Sequence, residues 1–314
     1  MKLIAGNSNR PLSEAVSAYL NVPLTQANVR RFSDMEVFVE IEENIRGEDV
    51  FVIQSTSFPA NDNLMELLVM LDALRRASAR RVTAVVPYYG YARQDRKTGP
   101  RTPISAKLVS NLITTAGANR LLTIDLHAGQ IQGFFDVPGD ALTAFHLLSD
   151  YIISKMRGGE LDDLVVVTTD LGFAKQGRNW AESLGVPLAF VEKRRSGDAD
   201  SPQALSLIGN VEGKNVLLVD DEVNTAGSVV RAVNVVRDYG ARDVLFAFTH
   251  PFLTDKAYER LAALDLREIV FTNTLPIAPE KKLPNMTVLS IAPLLGEVIL
   301  RAHEGRSVGA LFNE

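Results

Sequence analysis

The chain has 314 residues, 46% of them hydrophobic, and its formal net charge is -5. At about 100–200 residues per domain, this length predicts two domains. The acidic balance argues against a general nucleic-acid binder, which usually carries a basic surface. The lack of cysteine excludes disulfides and thiolate metal sites. The apolar run before Asn7 is too short for a signal peptide, and no run approaches the ~20 residues that span a bilayer. We therefore expect a cytoplasmic protein that binds neither membrane nor nucleic acid.

Short runs rich in β-branched residues alternate with longer helical patterns along the chain. Strands are predicted at Val50–Ser55, Val82–Pro87, Leu121–Asp125, Leu164–Thr168, Leu188–Val191, Val216–Val219, Val244–Phe248, Ile269–Thr272 and Val288–Ile291. Helical patterns lie between them, for example at Leu64–Ala77, Ser105–Ala116 and Ser228–Tyr239. Several strand runs are apolar without alternation, as expected of strands covered on both faces. The alternation predicts an α/β fold with mainly parallel sheets flanked by helices.

A short internal repeat indicates two similar lobes. Gly117-Ala118-Asn119-Arg120 and Gly240-Ala241-Arg242-Asp243 each lead into an apolar strand that ends in a histidine. Each glycine follows a helix and fits a C′ cap, which needs a positive φ. Chance is the alternative, since Gly-Ala after a helix is common. The repeat predicts lobes that meet near residues 129–140, and we assign the domains to residues 1–142 and 143–314. The last segment is expected to pack back on the first domain.

The segment most informative about chemistry covers residues 216–228. A buried strand ends in the adjacent carboxylates Asp220 and Asp221, and a turn of small residues then leads into a helix. Ligands of open α/β sheets bind beyond the carboxyl ends of strands, and backbone N–H groups at residues 225–228 would suit a phosphate at a helix N-terminus. Carboxylates would repel that phosphate unless they faced something else, and ribose hydroxyls are the natural partner. A strand-end turn with an N-cap is the alternative.

This segment resembles the phosphoribosyl-diphosphate loop of type I phosphoribosyltransferases and ribose-phosphate pyrophosphokinases. Residues 88–97, YYGYARQDRK, resemble the ATP-binding segment of the second family, and residues 124–135, IDLHAGQIQGFF, resemble its signature around a metal-binding histidine. Residues 31–34 and 65–68 match as well, and the likeness runs from Asn7 to Phe312. The resemblance implies two similar phosphoribosyltransferase-like domains, the first on the ATP side and the second with the ribose 5-phosphate site.

The activity that the resemblance implies is transfer of the pyrophosphoryl group of ATP to the anomeric hydroxyl of ribose 5-phosphate, releasing AMP. Phe32 would stack on adenine, with Asp34 and Glu36 accepting hydrogen bonds nearby. Arg93 suits bidentate phosphate binding, and Gln94 and Asp95 lie beside it in the same segment. The alternatives are a core role for Phe32 and a solvated charge for Arg93.

The resemblance also implies a magnesium site and a catalytic lid. Magnesium would involve His127 and Asp170, with Asp125 as an outer neighbour; because Mg²⁺ prefers oxygen ligands and keeps waters, His127 would act partly through water. A core histidine is the alternative. Lys193 and Arg195 match the cations of a mobile loop that stabilises developing charge and excludes water.

Ribose 5-phosphate is expected at a loop that departs from the family pattern. Its predicted ligands are Asp220, Asp221, Asn224, Thr225, Ala226, Gly227 and Ser228. The family usually has aspartate at Asn224 and threonine at Ser228. A second segment usually reads Pro-Asp, a variable residue and Gly-Gly with an arginine shortly after, whereas this chain has Thr169 first, Phe173 for the second glycine and Gln176 for the arginine. These changes put the affinity of the ribose site in question.

Two rival functions and several partner predictions remain. One rival is a catalytically weak regulatory paralogue, and the other is a phosphoribosyltransferase that uses a nucleobase. The resemblance implies a homo-oligomer, a hexamer built from dimers, with phosphate as activator and ADP as inhibitor. Arg46 and Ser307 of the regulatory positions are kept, but Asn44 and Gly309 stand where serines are usual.

Overall fold

The chain folds into two compact units. The structure is a computed structural model that describes residues 1–169, 171–193 and 205–311. Unit 1 comprises Met1–Thr143, Asn273–Pro276 and Ser290–Glu314, and unit 2 comprises Ala144–Thr272 and Ile277–Leu289. No helix in the described ranges is long and apolar enough to cross a membrane.

The described part of unit 1 contains a parallel sheet and a separate hairpin. The sheet strands are β1 (Lys2–Ala5), β4 (Asp49–Ile53), β5 (Arg81–Val86), β6 (Arg120–Ile124) and β7 (Gly139–Leu142), adjacent in that order. The hairpin pairs β2 (Ala27–Arg31) with β3 (Val37–Ile41) in antiparallel register. The helices are α1 (Arg10–Leu20), α2 (Ala60–Arg76), α3 (Ser105–Ala116) and α8 (Ala292–Glu304). Side chains of β4, α2 and α3 share one apolar core.

The described part of unit 2 is built around a seven-stranded sheet. Its strands are β8 (Leu164–Thr168), β9 (Leu188–Lys193), β10 (Leu205–Ile208), β11 (Asn215–Val223), β12 (Val244–Pro251), β13 (Glu268–Thr272) and β14 (Met286–Leu289). They lie in the order β10-β9-β8-β11-β12-β13-β14, parallel except for β10 against β9. The helices are α4 (Phe145–Arg157), α5 (Ala174–Leu184), α6 (Gly227–Asp238) and α7 (Asp255–Ala263).

The prediction of parallel α/β architecture is confirmed. Every residue of β8 and of β12 is buried, as the apolar runs without alternation indicate. Both repeat glycines adopt the positive φ that a C′ position requires, 129° at Gly117 and 83° at Gly240. The apolar runs in the sequence therefore predict burial on both faces of the sheet correctly.

Several predicted boundaries are wrong, and three of them have identifiable reasons. Strand β11 continues past Val219 to Val223, because β12 pairs alongside it as far as Pro251. The last strand ends at Leu289, since the amide of Ile291 donates to Asn273 Oδ1 (2.9 Å) in the turn that starts α8. Helix α2 begins at Ala60, before the predicted start at Leu64, and the pattern missed this turn because it carries no apolar periodicity.

Candidate active site

The segments of unit 1 predicted to bind ATP and the metal ion are attached to one edge of its sheet. Residues 88–97 follow β5 and residues 124–135 follow β6, and parallel neighbours end at the same edge. Asn7, which follows β1, donates through Nδ2 to the carbonyl of Val29 in the hairpin (3.1 Å). The hairpin is therefore held at the edge where the other two segments begin.

Phe32 lies at the tip of the hairpin and is 42% exposed. The guanidinium of Arg30 lies 4.8 Å from the centroid of the Phe32 ring and 4.4 Å from that of Phe38. The two rings meet edge to face at 5.4 Å. Asp34 Oδ1 accepts a hydrogen bond from the amide of Glu36 (3.2 Å), so Asp34 also stabilises the turn. The tip thus presents an aromatic ring whose orientation is fixed by a cation.

Buried residues anchor the segment that carries Arg93. The hydroxyl of Tyr89 donates to the carbonyl of Ala106 (2.8 Å), and burial raises the pKa of Tyr89. The amide of Gly90 donates to Thr56 Oγ1 (2.7 Å). A Cβ at Gly90 would lie 2.3 Å from the carbonyl oxygen of Thr56, so the close approach requires glycine here.

The polar part of this segment is exposed and linked to its neighbours. Arg93 and Gln94 are exposed. Gln94 Oε1 accepts a hydrogen bond from the hydroxyl of Ser105, and Asp95 Oδ2 accepts one from Gln130 Nε2. The bond from Gln130 joins the segment after β5 to the segment after β6. Two predicted nucleotide ligands therefore already have protein partners.

His127 is exposed in the loop after β6, and Asp125 precedes it with a φ of 41°. Among the described residues, no group of three or more His, Asp or Glu side chains is arranged to hold a metal ion. The predicted partner of His127, Asp170, lies outside the described residues.

Unit 2 has a topological switch point between β8 and β11. From β8 the chain continues to β9 and β10 on one side of the sheet, whereas β11 to β14 lie on the other. Ligands of open α/β sheets bind outside the carboxyl ends of strands at such a point. Asp220 and Asp221 lie in β11 at this position, and Thr169 directly follows β8. The sequence motif and the sheet order therefore select the same place independently.

The Asp220 carboxylate is held at both oxygens. Its Oδ2 accepts a hydrogen bond from Thr169 Oγ1 (2.7 Å), and its Oδ1 accepts one from the backbone amide of Asp221 (2.9 Å). Burial is the main cause that raises the pKa of Asp220 well above its ordinary value, and the neighbouring Asp221 carboxylate also raises it. The hydrogen bond from Thr169 lowers this pKa. A ligand that donates hydrogen bonds to Asp220 would stabilise its charged form and so oppose this rise in pKa.

The loop after β11 leads directly into α6. Ala226 adopts a left-handed conformation (φ 56°), and α6 begins at Gly227. The first N–H groups of a helix have no partner within it, and they attract anions because of the helix dipole. A loop that enters a helix N-terminus is thus present where the phosphate-binding loop was predicted, and its binding of phosphate remains a prediction.

Two arginines that the sequence analysis did not identify flank this loop. Arg260 Nη1 donates to the carbonyl of Thr225 (2.6 Å), and Arg231 Nη2 donates to the hydroxyl of Ser228 (3.1 Å). A Cβ at Gly227 would lie 3.5 Å from Arg260 and 3.6 Å from Arg231. Arg231 follows Ser228 by three residues on α6, a helical spacing that could have revealed it.

The remaining predicted residues are only partly described. Lys193 is the last residue of β9 and pairs with Leu205; its side chain and Arg195 lie outside the described residues. Phe173 directly precedes α5, and Gln176 is exposed on that helix. A Cβ on the next residue, Gly177, would lie 2.2 Å from Thr168 Cγ2, so this turn of α5 packs tightly on β8.

The predicted regulatory positions form local turns. Asn44 Oδ1 accepts a hydrogen bond from the amide of Arg46 (3.1 Å). The hydroxyl of Ser307 accepts one from the amide of Gly309 (3.2 Å). Asn44 and Ser307 therefore each stabilise the backbone next to them.

The fold defines a two-unit α/β protein in which a short loop leads into a helix at the switch point of the second sheet. Residues 1–117 match the model of the N-terminal domain of ribose phosphate pyrophosphokinase, and residues 198–313 match the phosphoribosyl synthetase-associated domain. Ribose-phosphate pyrophosphokinases of Brucella melitensis and Caulobacter vibrioides are 52% and 53% identical, and each match covers 100% of both chains. The chain therefore belongs to the ribose-phosphate pyrophosphokinase family.

A solved structure agrees with this family. The crystal structure of phosphoribosylpyrophosphate synthetase from Mycobacterium smegmatis is 46% identical, with a TM-score of 0.91. The match covers 97% of this chain and 99% of that chain. The resemblance drawn from the motifs is confirmed, and the roles of single residues remain predictions.

Proposed function

We propose that this protein transfers the pyrophosphoryl group of ATP to the anomeric hydroxyl of ribose 5-phosphate, giving 5-phosphoribosyl 1-diphosphate and AMP. The observation that carries the proposal is the carboxylate pair Asp220–Asp221 at the switch point, followed directly by a helix N-terminus. Carboxylates and a phosphate-binding loop side by side suit a sugar phosphate, because such a ligand has hydroxyl donors at one end and an anion at the other.

In the proposed ribose site, Asp220, Asp221 and Asn224 accept hydrogen bonds from the ribose hydroxyls. The loop 225–228 binds the 5-phosphate through backbone N–H groups and the hydroxyls of Thr225 and Ser228. Residues 1–142 form the proposed ATP side and residues 143–314 the ribose 5-phosphate side.

In the proposed nucleotide site, Phe32 stacks on the adenine through its exposed ring, and Asp34 and Glu36 accept from the base edge. Arg93 binds the phosphate oxygens as a bidentate donor. Gln94 and Asp95 lie in the same segment, and their present partners, Ser105 and Gln130, would be exchanged or shared when the nucleotide binds.

Magnesium is the proposed cofactor, with His127 and Asp170 as its protein ligands. Asp170 fits as an oxygen ligand, because Mg²⁺ is commonly held by one or two carboxylates together with waters and phosphate oxygens, and His127 would act partly through water. When bound, the ion neutralises charge on the phosphate oxygens. An exposed imidazole beside the nucleotide segment matches such a partial ligand set.

The proposed reaction is an attack by the anomeric oxygen on the β-phosphorus of ATP. A new oxygen–phosphorus bond forms, the bond between the β-phosphorus and the α,β-bridging oxygen breaks, and AMP leaves with that oxygen while the sugar hydroxyl loses its proton. Lys193 and Arg195 stabilise the negative charge that develops on the transferred group and on the departing oxygen. Positioning and charge neutralisation carry most of the catalysis in phosphoryl-type transfer.

Product analysis tests this function. Phosphorus NMR of enzyme, ATP, Mg²⁺ and ribose 5-phosphate should show AMP and a sugar 1-diphosphate, with neither formed when the sugar is omitted. ADP as the primary product would refute the proposed pyrophosphoryl transfer. Calorimetric binding of both ligands without turnover would favour the regulatory paralogue, which the changes at Asn224, Phe173 and Gln176 support.

The quaternary and regulatory parts of the proposal rest on family resemblance. We propose a cytoplasmic homo-oligomer, a hexamer built from dimers, that phosphate activates and ADP inhibits. Light scattering after gel filtration, together with activity measured across phosphate and ADP concentrations, tests both parts.

A further inference from the structure

Thr169 and Asp220 meet across the switch point of the second sheet. Strands β8 and β11 pair in parallel with Thr168 opposite Val219, so the next residue of each strand is also a neighbour. Thr169 is 6% exposed, and its hydroxyl donates to Asp220 Oδ2 over 2.7 Å. Since Thr169 lies 51 residues before Asp220, sheet pairing alone creates this contact.

The two bonds to Asp220 fix how its carboxyl group is turned. Oδ1 is held by an amide of its own strand and Oδ2 by a side chain that follows the neighbouring strand. A carboxylate offers about four acceptor positions, so these two bonds do not use all of them. Without Thr169, the restraints from Asp221 on the same strand would remain, and the side-chain torsion of Asp220 would be freer.

We propose that Thr169 is a positioning residue that orients Asp220 toward the hydroxyls of ribose 5-phosphate. This inference rests on the proposed function, in which Asp220 accepts from the ribose. The family pattern usually has proline at this place, and proline has neither a side-chain donor nor a backbone N–H. A proline at this position could not make the side-chain bond to Asp220 that Thr169 makes in this chain.

Paired substitutions isolate the hydroxyl. Thr169→Val removes it at nearly constant shape, and Thr169→Ser keeps it. Thr83→Val is the matched control, because Thr83 is fully buried and its hydroxyl has no hydrogen-bond partner among the described residues. Each variant is compared with the wild type in steady-state kinetics, in calorimetric titration with ribose 5-phosphate, and in thermal unfolding.

A positioning role predicts an effect on one substrate. Thr169→Val should raise the KM and the Kd for ribose 5-phosphate about five- to tenfold, as expected from losing much of one hydrogen bond to a charged group. The KM for ATP should change by less than about twofold, because Asp220 lies in the proposed ribose site. Thr169→Ser and Thr83→Val should both resemble the wild type in ribose 5-phosphate affinity.

Three results would overturn the inference. They are ribose 5-phosphate affinity within twofold of wild type in Thr169→Val, an equal loss for ATP and sugar as a purely structural role requires, and a Thr169→Ser variant as impaired as Thr169→Val. If Thr169→Val does not fold, Thr169→Ala provides the same comparison. If the wild type binds the sugar but forms no AMP, the proposed function fails while the binding titrations still test Thr169.

Discussion

A buried carboxylate in unit 1 gives the most quantitative prediction for this fold. Glu66 is 2% exposed on α2, and three donors face it. Its Oε1 accepts from the amide of Asn7 (2.7 Å) and from Gln54 Nε2 (2.9 Å), and its Oε2 accepts from Asn7 Nδ2 (2.9 Å). Asn7 Nδ2 also donates to the carbonyl of Val29, so this group connects α2 to the hairpin that carries Phe32.

Replacing Glu66 by glutamine should destabilise unit 1 substantially. One oxygen becomes an NH₂ group that faces a donor, so one hydrogen bond is lost, and the other two lose their charge-assisted character. Hydrogen bonds to charged groups contribute about 1.5–3 kcal/mol and neutral ones about 1 kcal/mol. The sum is a loss of about 3 kcal/mol in the free energy of unfolding.

The matched control is Glu14→Gln, which makes the same chemical change in an exposed pair with Arg10 (3.1 Å). It should alter stability by less than about 0.5 kcal/mol. Thermal unfolding of both variants at equal protein concentration separates them, since about 1 kcal/mol shifts Tm by roughly 2–4 °C in a domain of this size. The KM for ATP should rise more than that for ribose 5-phosphate in Glu66→Gln. Equal Tm values for the two variants would refute the reasoning.

The other predictions concern the proposed substrate sites. Truncating Lys193 or Arg195 to alanine should lower kcat by about 10²–10³ with little change in either KM, and steady-state activity within a few-fold of wild type would show that the pair is not catalytic. Asn224→Asp should tighten ribose 5-phosphate binding about tenfold in calorimetry with magnesium present, because a carboxylate is the stronger acceptor; unchanged or weaker binding would contradict this role. Arg30→Ala should weaken ATP binding about two- to fivefold through loss of the cation–π contact that orients Phe32, and an equal loss for ribose 5-phosphate would contradict it.

Elements that depend on local pattern were predictable from the sequence. The fully buried strands β8 and β12 follow from apolar runs, because a strand covered on both faces has no polar side. The loop into α6 follows from its small residues and helix pattern, since helix starts depend on nearby residues. The hairpin β2–β3 was not predicted, because its half-buried residues give no regular alternation.

The contacts of charged residues on the helices could be predicted from the sequence only in part. Glu66 stands in an otherwise apolar stretch of α2, which marks it as unusual, but its partners Asn7 and Gln54 come from other elements. Arg231 lies one helical turn beyond Ser228 and was accessible by spacing. Arg260 lies on α7, 35 residues from the carbonyl that it contacts, so no local signal indicates it.

The sequence by itself determined the parallel α/β class, the glycine caps and the loop that joins the Asp220–Asp221 strand to α6. Each of these features depends on residues within about two helical turns or one strand of each other. Only the tertiary structure decided which strands are neighbours. The pairing of β8 with β11 brings Thr169 to Asp220, and the packing of α2 brings Glu66 to an amide 59 residues away. Strand order and register set these contacts, since hydrogen bonds reach only about 3 Å and no short-range pattern encodes which distant groups come that close.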